Sequence, residues 1–366
     1  MKKIFIICVF ICALFAFYKC SPELKEDNAI SSEQNPKSIE GFYVKVIKTE
    51  SNFKVMQYGN SSVNGRRDPV IILEFPDVDT FEALAEQLED QSEVWDDAFV
   101  QQWANLTDDQ LDAKEVQLNF DSEKPITDFE NANGLTNSLR RKFLAEEEIW
   151  LNNDILDENA NPNDKLQYGF DESMMALMNE LGEIKINQNI YKVVKDGYLN
   201  ISDGSLEKLD RYNNGDLTVL NDAAVSIDAT IEIDNSNNTE NFGGGCVRKA
   251  KTHTNPYATN RRAEVKIAFR SYPFKAVSRS RMTSLKKENG RWKKHRRDLQ
   301  VGSTGKIYKN DCSFLNNFDA GFKSKRKKKL VQRYESWGAF PDRQTKDNEL
   351  AGKYIIGGQY FTLNLN

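Results

Sequence analysis

Apolar residues recur along this chain in two rhythms, and the change from one to the other divides it. In the first rhythm, Asp79 and Glu82 form a capping box, and Phe81, Leu84 and Leu88 follow at helical spacing. Trp95, Phe99 and Trp103 extend that helix at i, i+4 and i+8. Thr107 with Gln110 starts a short acidic helix. A longer helix is expected over Ser138 to Ile155, with Leu139, Phe143, Trp150 and Leu151 inward and Glu146 to Glu148 outward. Another begins at Asp171, carries Met174, Met175, Leu177 and Met178, and stops at Gly182. Strands interleave with these helices: GFYVKVIK (41–48), DPVIILEFP (68–76) and a hairpin in GEIKINQNIYKVV (182–194). Strict alternation from Ala223 to Ile233 reads as a half-buried strand.

After DNSNNTENFGGG (234–245), a linker by composition, the helical rhythm disappears. Ala263, Val265, Ile267 and Phe269 alternate with Arg262, Glu264, Lys266 and Arg270, a strand period of two. Asn289-Gly290 signals a two-residue hairpin turn that sets Lys287 opposite Trp292 and Glu288 opposite Arg291. KLVQRYESW and KYIIGGQYFTLNL supply late strands. The expected fold class is α+β: a mixed N-terminal domain (41–233), the linker, and a small all-β, sandwich-like domain (246–366). Length agrees with two domains.

The first twenty residues change the picture of where this happens. Lys2 and Lys3 precede an apolar run from Ile4 to Tyr18, too short to span a bilayer but suited to a secretory signal. Cys20 closes it as a candidate lipidation site, although Phe17 and Lys19 occupy lipobox places that ordinarily hold an aliphatic and a small residue. Cleavage after Ala16, leaving Cys20 as a spare thiol, is the competing reading. The polar stretch to residue 40 then serves as a flexible tether. The expected address is the outer membrane through an N-terminal lipid, with surface exposure; a periplasmic or secreted form is the alternative. Cys246 and Cys312 form the one remaining pair, most simply a disulfide in an oxidising compartment. Closing a loop that long stabilises by about 4 kcal/mol on the chain-entropy model.

Charge is distributed unevenly. The chain carries a net −5, yet residues 241–366 hold 29 Lys+Arg against 9 Asp+Glu, while residues 21–240 sum to −28. Such asymmetry points either to an anionic partner or to attraction between the two parts.

MMALMNELGEIKINQNIYKVVKDG (174–197), with Asn179, Glu180, Gly182, Glu183, Ile190, Tyr191 and Lys192, resembles a segment common in uncharacterised exported lipoproteins of the Bacteroidetes. Lys25-Glu26-Asp27 after Cys20 is similar to their surface-export tags, and the basic strands around Gly290-Arg291-Trp292 to their C-terminal domain. The resemblance implies an envelope address and this architecture, and no catalytic residue.

The candidate site is therefore cationic: Lys286, Lys287, Arg291, Trp292, Lys293, Lys294, Arg296 and Arg297, joined by Lys325, Arg326 and Lys327. Basic side chains around an aromatic suit an acidic glycan or lipopolysaccharide; nucleic acid is the weakest version because the chain is exported. The plain alternatives are a solvated strand face or a dock for the acidic part. His253 and His295 belong to no nucleophile or zinc motif, and His295 reads as an exposed strand position. Asp157, Asn159 and Asn161 mimic the start of a calcium loop, but Pro162 and Tyr168 stand where glycine and a bidentate glutamate belong. Gly243 to Gly245 read as a hinge. No metal or cofactor is expected. The expected function is a non-enzymatic binding module for an anionic envelope partner. The runner-up is a structural or assembly role in which the two parts dock. A carboxylate-dependent glycoside hydrolase comes last.

Overall fold

The computed structural model describes residues 42–365 apart from 61–68, 158–159, 166–167, 169, 195–196, 230–245, 248–249, 272–275, 310, 337–342 and 347. The leader, Cys20, the tether, the linker and its glycines lie outside the described residues. What is described is a mixed α+β fold with three sheets.

The first sheet is built in two passes. Strands β1 (Phe42–Thr49), β2 (Lys54–Asn60) and β3 (Val70–Phe75) form an antiparallel meander. β2 was not among the expected strands; its register places Val55 and Met56 opposite Leu73 and Ile72. The chain then leaves through α1 (Val78–Gln102), α2 (Asp108–Leu118), α3 (Lys124–Ala132), α4 (Leu139–Leu151) and α5 (Glu172–Ala176). It returns parallel to β3 as β4 (Glu183–Ile186), the long crossover that a parallel pair requires. β5 (Asn189–Val194), β6 (Gly197–Ile201) and β7 (Val225–Ala229) finish the sheet antiparallel, with α6 (Leu206–Asn213) before β7.

Apolar residues cover both faces of this sheet. Leu73 and Phe75 pack with Phe81, Phe143 and Met175 from the helices, while Tyr58, Ile72, Ile190 and Leu199 pack with Leu209 of α6. β7 ends the sheet among the described residues; of the expected alternation Val225 is buried and Ile227 is exposed, and 230–233 lie outside the described residues.

Helix starts follow the capping chemistry. Thr107 makes both legs of its capping box with Gln110, and Ser138 accepts from the Arg141 amide. The first helix starts two residues earlier than expected, because Asp77 is its cap and accepts from the Thr80 amide at 2.7 Å.

The segment quoted for the family resemblance is an architectural knot. Glu183 is fully buried and takes Tyr58 Oη at 2.6 Å, Asn179 Nδ2 at 2.8 Å, Lys192 Nζ at 2.9 Å and Asn213 Nδ2 at 2.7 Å. Burial and the Glu183 charge push the Tyr58 phenol far above its ordinary range. Gly182 precedes it at φ +70, and a Cβ there would meet Val193 at 3.1 Å, so both conformation and space call for glycine. Gly182 thus shapes the entry to β4; the helix itself ends at Ala176.

The C-terminal part is a sandwich. One sheet holds β9 (Ala250–Ala258), β10 (Arg261–Ser271), β11 (Ala276–Glu288), β12 (Arg291–Lys294) and β15 (Lys329–Ser336). The other holds β8 (Cys246–Val247), β13 (Arg297–Lys309), β14 (Phe314–Lys327), β16 (Arg343–Lys346), β17 (Leu350–Ile356) and β18 (Gln359–Asn364). Val265, Ile267, Phe269 and Met282 of the first meet Leu299, Val301, Tyr354 and Ile356 of the second in one core. The β11–β12 turn matches its sequence signal: Asn289 and Gly290 have φ 52 and 80, Lys287 pairs with Trp292 and Glu288 with Arg291. The described residues all belong to one compact unit. Val277 of β11 enters the core of the helical layer, and Trp292 and Leu285 pack with Trp150, Leu151 and Leu156.

Candidate functional site: the charged seam between helices and sandwich

Helix α1 changes chemistry along its buried stripe. Phe81, Leu84, Ala85 and Leu88 face inward on its first half; the stripe continues as Ser92, Asp96 and Phe99. Glu89, Glu93 and Asp97 flank it at one-turn intervals. On α2, Asp108, Asp109, Asp112 and Glu115 repeat the theme, and Glu115 is buried beside Leu111. Carboxylates turned inward need cations opposite them.

The sandwich provides those cations. Lys323, Lys325 and Lys327 alternate along β14, so a strand period of two puts them on one face. Lys323 meets Glu93 at 2.9 Å, Lys325 meets Asp97 at 2.6 Å, and Lys327 lies 3.8 Å from Asp96. From β15, Arg333 bridges Glu89 and Asp171, while Lys329 bridges Glu123 and Glu172.

At the centre is Arg296, 1% exposed and the largest fully buried side chain among the described residues. Its guanidinium donates to both oxygens of Asp96, at 2.7 and 3.1 Å, and to Glu115. Burial alone would lower its pKa; the hydrogen bonds and charges of Asp96 and Glu115 more than offset this and raise it. Each of these ion pairs sets a cation of the sandwich against a carboxylate of residues 42–229.

Nine of the eleven candidate polyanion contacts lie in this seam. Lys286 meets Asp109, Lys287 meets Asp154, Lys294 meets buried Glu147 at 2.5 Å, and Arg297 and Arg326 share Asp108. Arg296, Lys325 and Lys327 are placed above. Trp292 is 5% exposed, packed on Trp150, and donates Nε1 to the Asp154 carbonyl at 3.2 Å. It is a core residue and no stacking platform. Only Arg291 and Lys293 remain exposed, with Lys293 3.7 Å from Glu288.

Two readings of the sequence are corrected here, Glu147 as an outward residue and His295 as an exposed one. Glu147 points inward to Lys294. His295 is buried at 2% exposure, with Nδ1 on Asp112 and Nε2 beside Arg261, so it belongs to the seam. The loop resembling a calcium site is pinned by protein groups: Asn161 Nδ2 donates to Glu264 at 3.0 Å, and Arg281 donates to both Asn163 and Glu264. His253 lies exposed on β9 opposite Val265. Among the described residues no His, Cys, Asp and Glu group is placed to hold a metal, and no helix is long and apolar enough to cross a membrane.

The acidic stripe was legible as i, i+3 and i+4 spacing of carboxylates on α1 and α2. What hid its role was the convention that such stripes face water.

A half-open cavity of about 400 Å³ lies in the seam between α1, α3, α4 and the β14–β15 strands. Two of its carboxylates, Glu93 and Glu172, are held ionised by neighbouring lysines. Burial would raise Glu93, but Lys323 and Lys325 hold it at about 2; burial would raise Glu172, but Lys329 and Lys294 hold it well below the ordinary range. A glycosidase acid needs the opposite shift.

Two outcomes follow from this geometry. Arg296→Met leaves Asp96 and Glu115 buried without their main cation, and urea denaturation should show a loss of about 3–5 kcal/mol, whereas Lys293→Ala should stay within about 0.5 kcal/mol. An equal, small effect for both would show the seam to be solvated. Acid should also unfold the protein early. Glu93 and Asp109 sit at about 2 when folded, below their ordinary 4.5 and 3.8. Their stabilisation is therefore complete above about pH 4.5 and is lost as pH falls toward 2. Melting temperatures that stay flat from neutrality to pH 3 would contradict this.

No protein-family model matches the chain, and no curated protein matches it. Among solved structures, the crystal structure of a DUF4848 family protein from Bacteroides thetaiotaomicron aligns with 12% identity over 80% of this chain and 97% of that one, at a TM-score of 0.15. It is a distant structural neighbour from an uncharacterised Bacteroidetes family, and a superposition this loose carries no inference about fold or function.

Proposed function

We infer that this chain is an exported, envelope-associated structural protein whose acidic helical layer and basic sandwich are docked on each other within one molecule. The observation carrying this reading is the placement of nine of the eleven candidate cationic-site residues in the seam around buried Arg296. A surface meant for a large polyanion would keep such groups in water. Here a polyanion would have to displace carboxylates already in place, and some of those pairs are fully desolvated. In this reading the chain is not an enzyme, and the seam's cations are reserved for its own carboxylates.

The anchor and the bridge belong to the same reading. The apolar run ending at Cys20 supports a lipid-anchored form. For a Cys246–Cys312 disulfide, the support is the strand order that brings the two positions to neighbouring strands, with Cys312 at φ 61 in the β13–β14 turn. β8, which carries Cys246, pairs with β16, and β16 pairs with the end of β13 three residues before Cys312. The Cys246 side chain itself lies outside the described residues.

The mature chain, passed over immobilised lipopolysaccharide and an acidic polysaccharide at about 0.1 M ionic strength, where the screening length is about 10 Å, should flow through. Retention that salt reverses would return the cationic face to the role of a polyanion receptor. Separately, expression in a Gram-negative host with a palmitate analogue should label the wild-type chain and leave Cys20→Ser unlabelled. An unlabelled wild-type chain would remove the lipid anchor.

A further inference from the structure

The cavity in the seam is lined by charge yet has no net charge to offer. Nine cationic and six carboxylate side chains face it. Just behind its wall, Glu115, Glu147 and Asp171 pair with Arg296, Lys294 and Arg333, which balances the remaining three. A mobile anion or cation entering this space would have to break existing pairs and leave a buried charge unmatched.

Hydrogen-bonding capacity is what remains. A lysine ammonium has three donors and a carboxylate about four acceptor sites, more than the ion pairs consume. Lys327, for example, has Asp96 at 3.8 Å, too far for a hydrogen bond, while Asp96 is already occupied by Arg296. Ser92 Oγ, on a residue 9% exposed, has no hydrogen-bond partner among the described residues. Ser122 and Ser173 also line the space. Ile126, Leu144, Leu330 and Val331 supply apolar lining, and one ring completes it: Phe120, whose plane stacks on Phe99 at 3.9 Å and Trp95 at 5.6 Å.

Donors and acceptors in excess, no net charge and one stacked ring match a ligand whose groups both donate and accept and whose carbon face is apolar. The volume lies within the range of small-molecule sites, about 300–1,000 Å³. We propose that the seam cavity is a binding site for a small neutral polyhydroxylated ligand, of about monosaccharide size. This goes beyond the structural role: a docked seam can exist without a ligand, and the two ideas fail separately.

The test is calorimetric titration of the mature chain with D-glucose, D-galactose, D-mannose and myo-inositol, alongside inorganic phosphate and glycine as charged and zwitterionic comparators. At least one of the four neutral compounds should bind saturably, with a change in tryptophan fluorescence because Trp95 stacks on the lining ring. Phosphate and glycine should not bind. Ser92→Leu, which fills the cavity from α1, should weaken that binding at least about tenfold. Ser122→Trp does the same from the exposed α2–α3 loop, so a folding defect in one variant leaves the other to decide, with circular dichroism checking both. Absence of saturable binding by all four neutral compounds overturns the proposal. So does phosphate or glycine binding in their place, or neutral-ligand binding unchanged in a folded, cavity-filled variant.

Discussion

A guanidinium that water cannot reach must have its charge answered by protein, and this fold is organised around that requirement at Arg296. Asp96 and Glu115 answer it from two different helices, so the residue fixes α1 and α2 relative to the start of β13 in one step. The rest of the seam then falls into register. The alternating lysines of β14 meet the carboxylates of α1, His295 and Arg297 meet α2, and Trp292 comes down onto Trp150. Buried ion pairs of this kind are weak contributors to net stability, because desolvation consumes much of the Coulombic gain. They are strict about geometry, since a misplaced helix would leave several charges unanswered at once.

That strictness also explains the cavity. Apolar side chains interdigitate and close gaps, as they do between the two sheets of the sandwich, where Val265 and Ile267 meet Val301 and Tyr354. Long charged side chains meeting end to end hold their parent elements apart instead. Where the pairs Lys323–Glu93, Arg333–Glu89 and Lys329–Glu172 arch between helix and strand, space is left beside them. The same chemistry that joins the two parts keeps part of their junction open.

The quoted family segment has an equally local explanation. Asn179, Glu183 and Lys192 close a hydrogen-bonded knot with Tyr58 of β2 and Asn213 of α6, and Gly182 supplies the conformation that lets Glu183 enter it. A motif built this way reports architecture.

The sequence by itself determined what is coded by short spacing. The caps at Thr107 and Ser138, the Asn289-Gly290 turn with its register, the apolar half of α1 and the alternation of β10 all depend on residues within a few positions of one another. Only the tertiary structure decided what the charges do. Asp96 and Arg296 are 200 positions apart, and a carboxylate stripe has the same period whether it faces water or a buried arginine. The +20 and −28 of the two parts announced attraction. They did not say whether it would be satisfied inside the molecule, because burial of a charge is decided by which element comes to lie opposite it, and no local pattern encodes that.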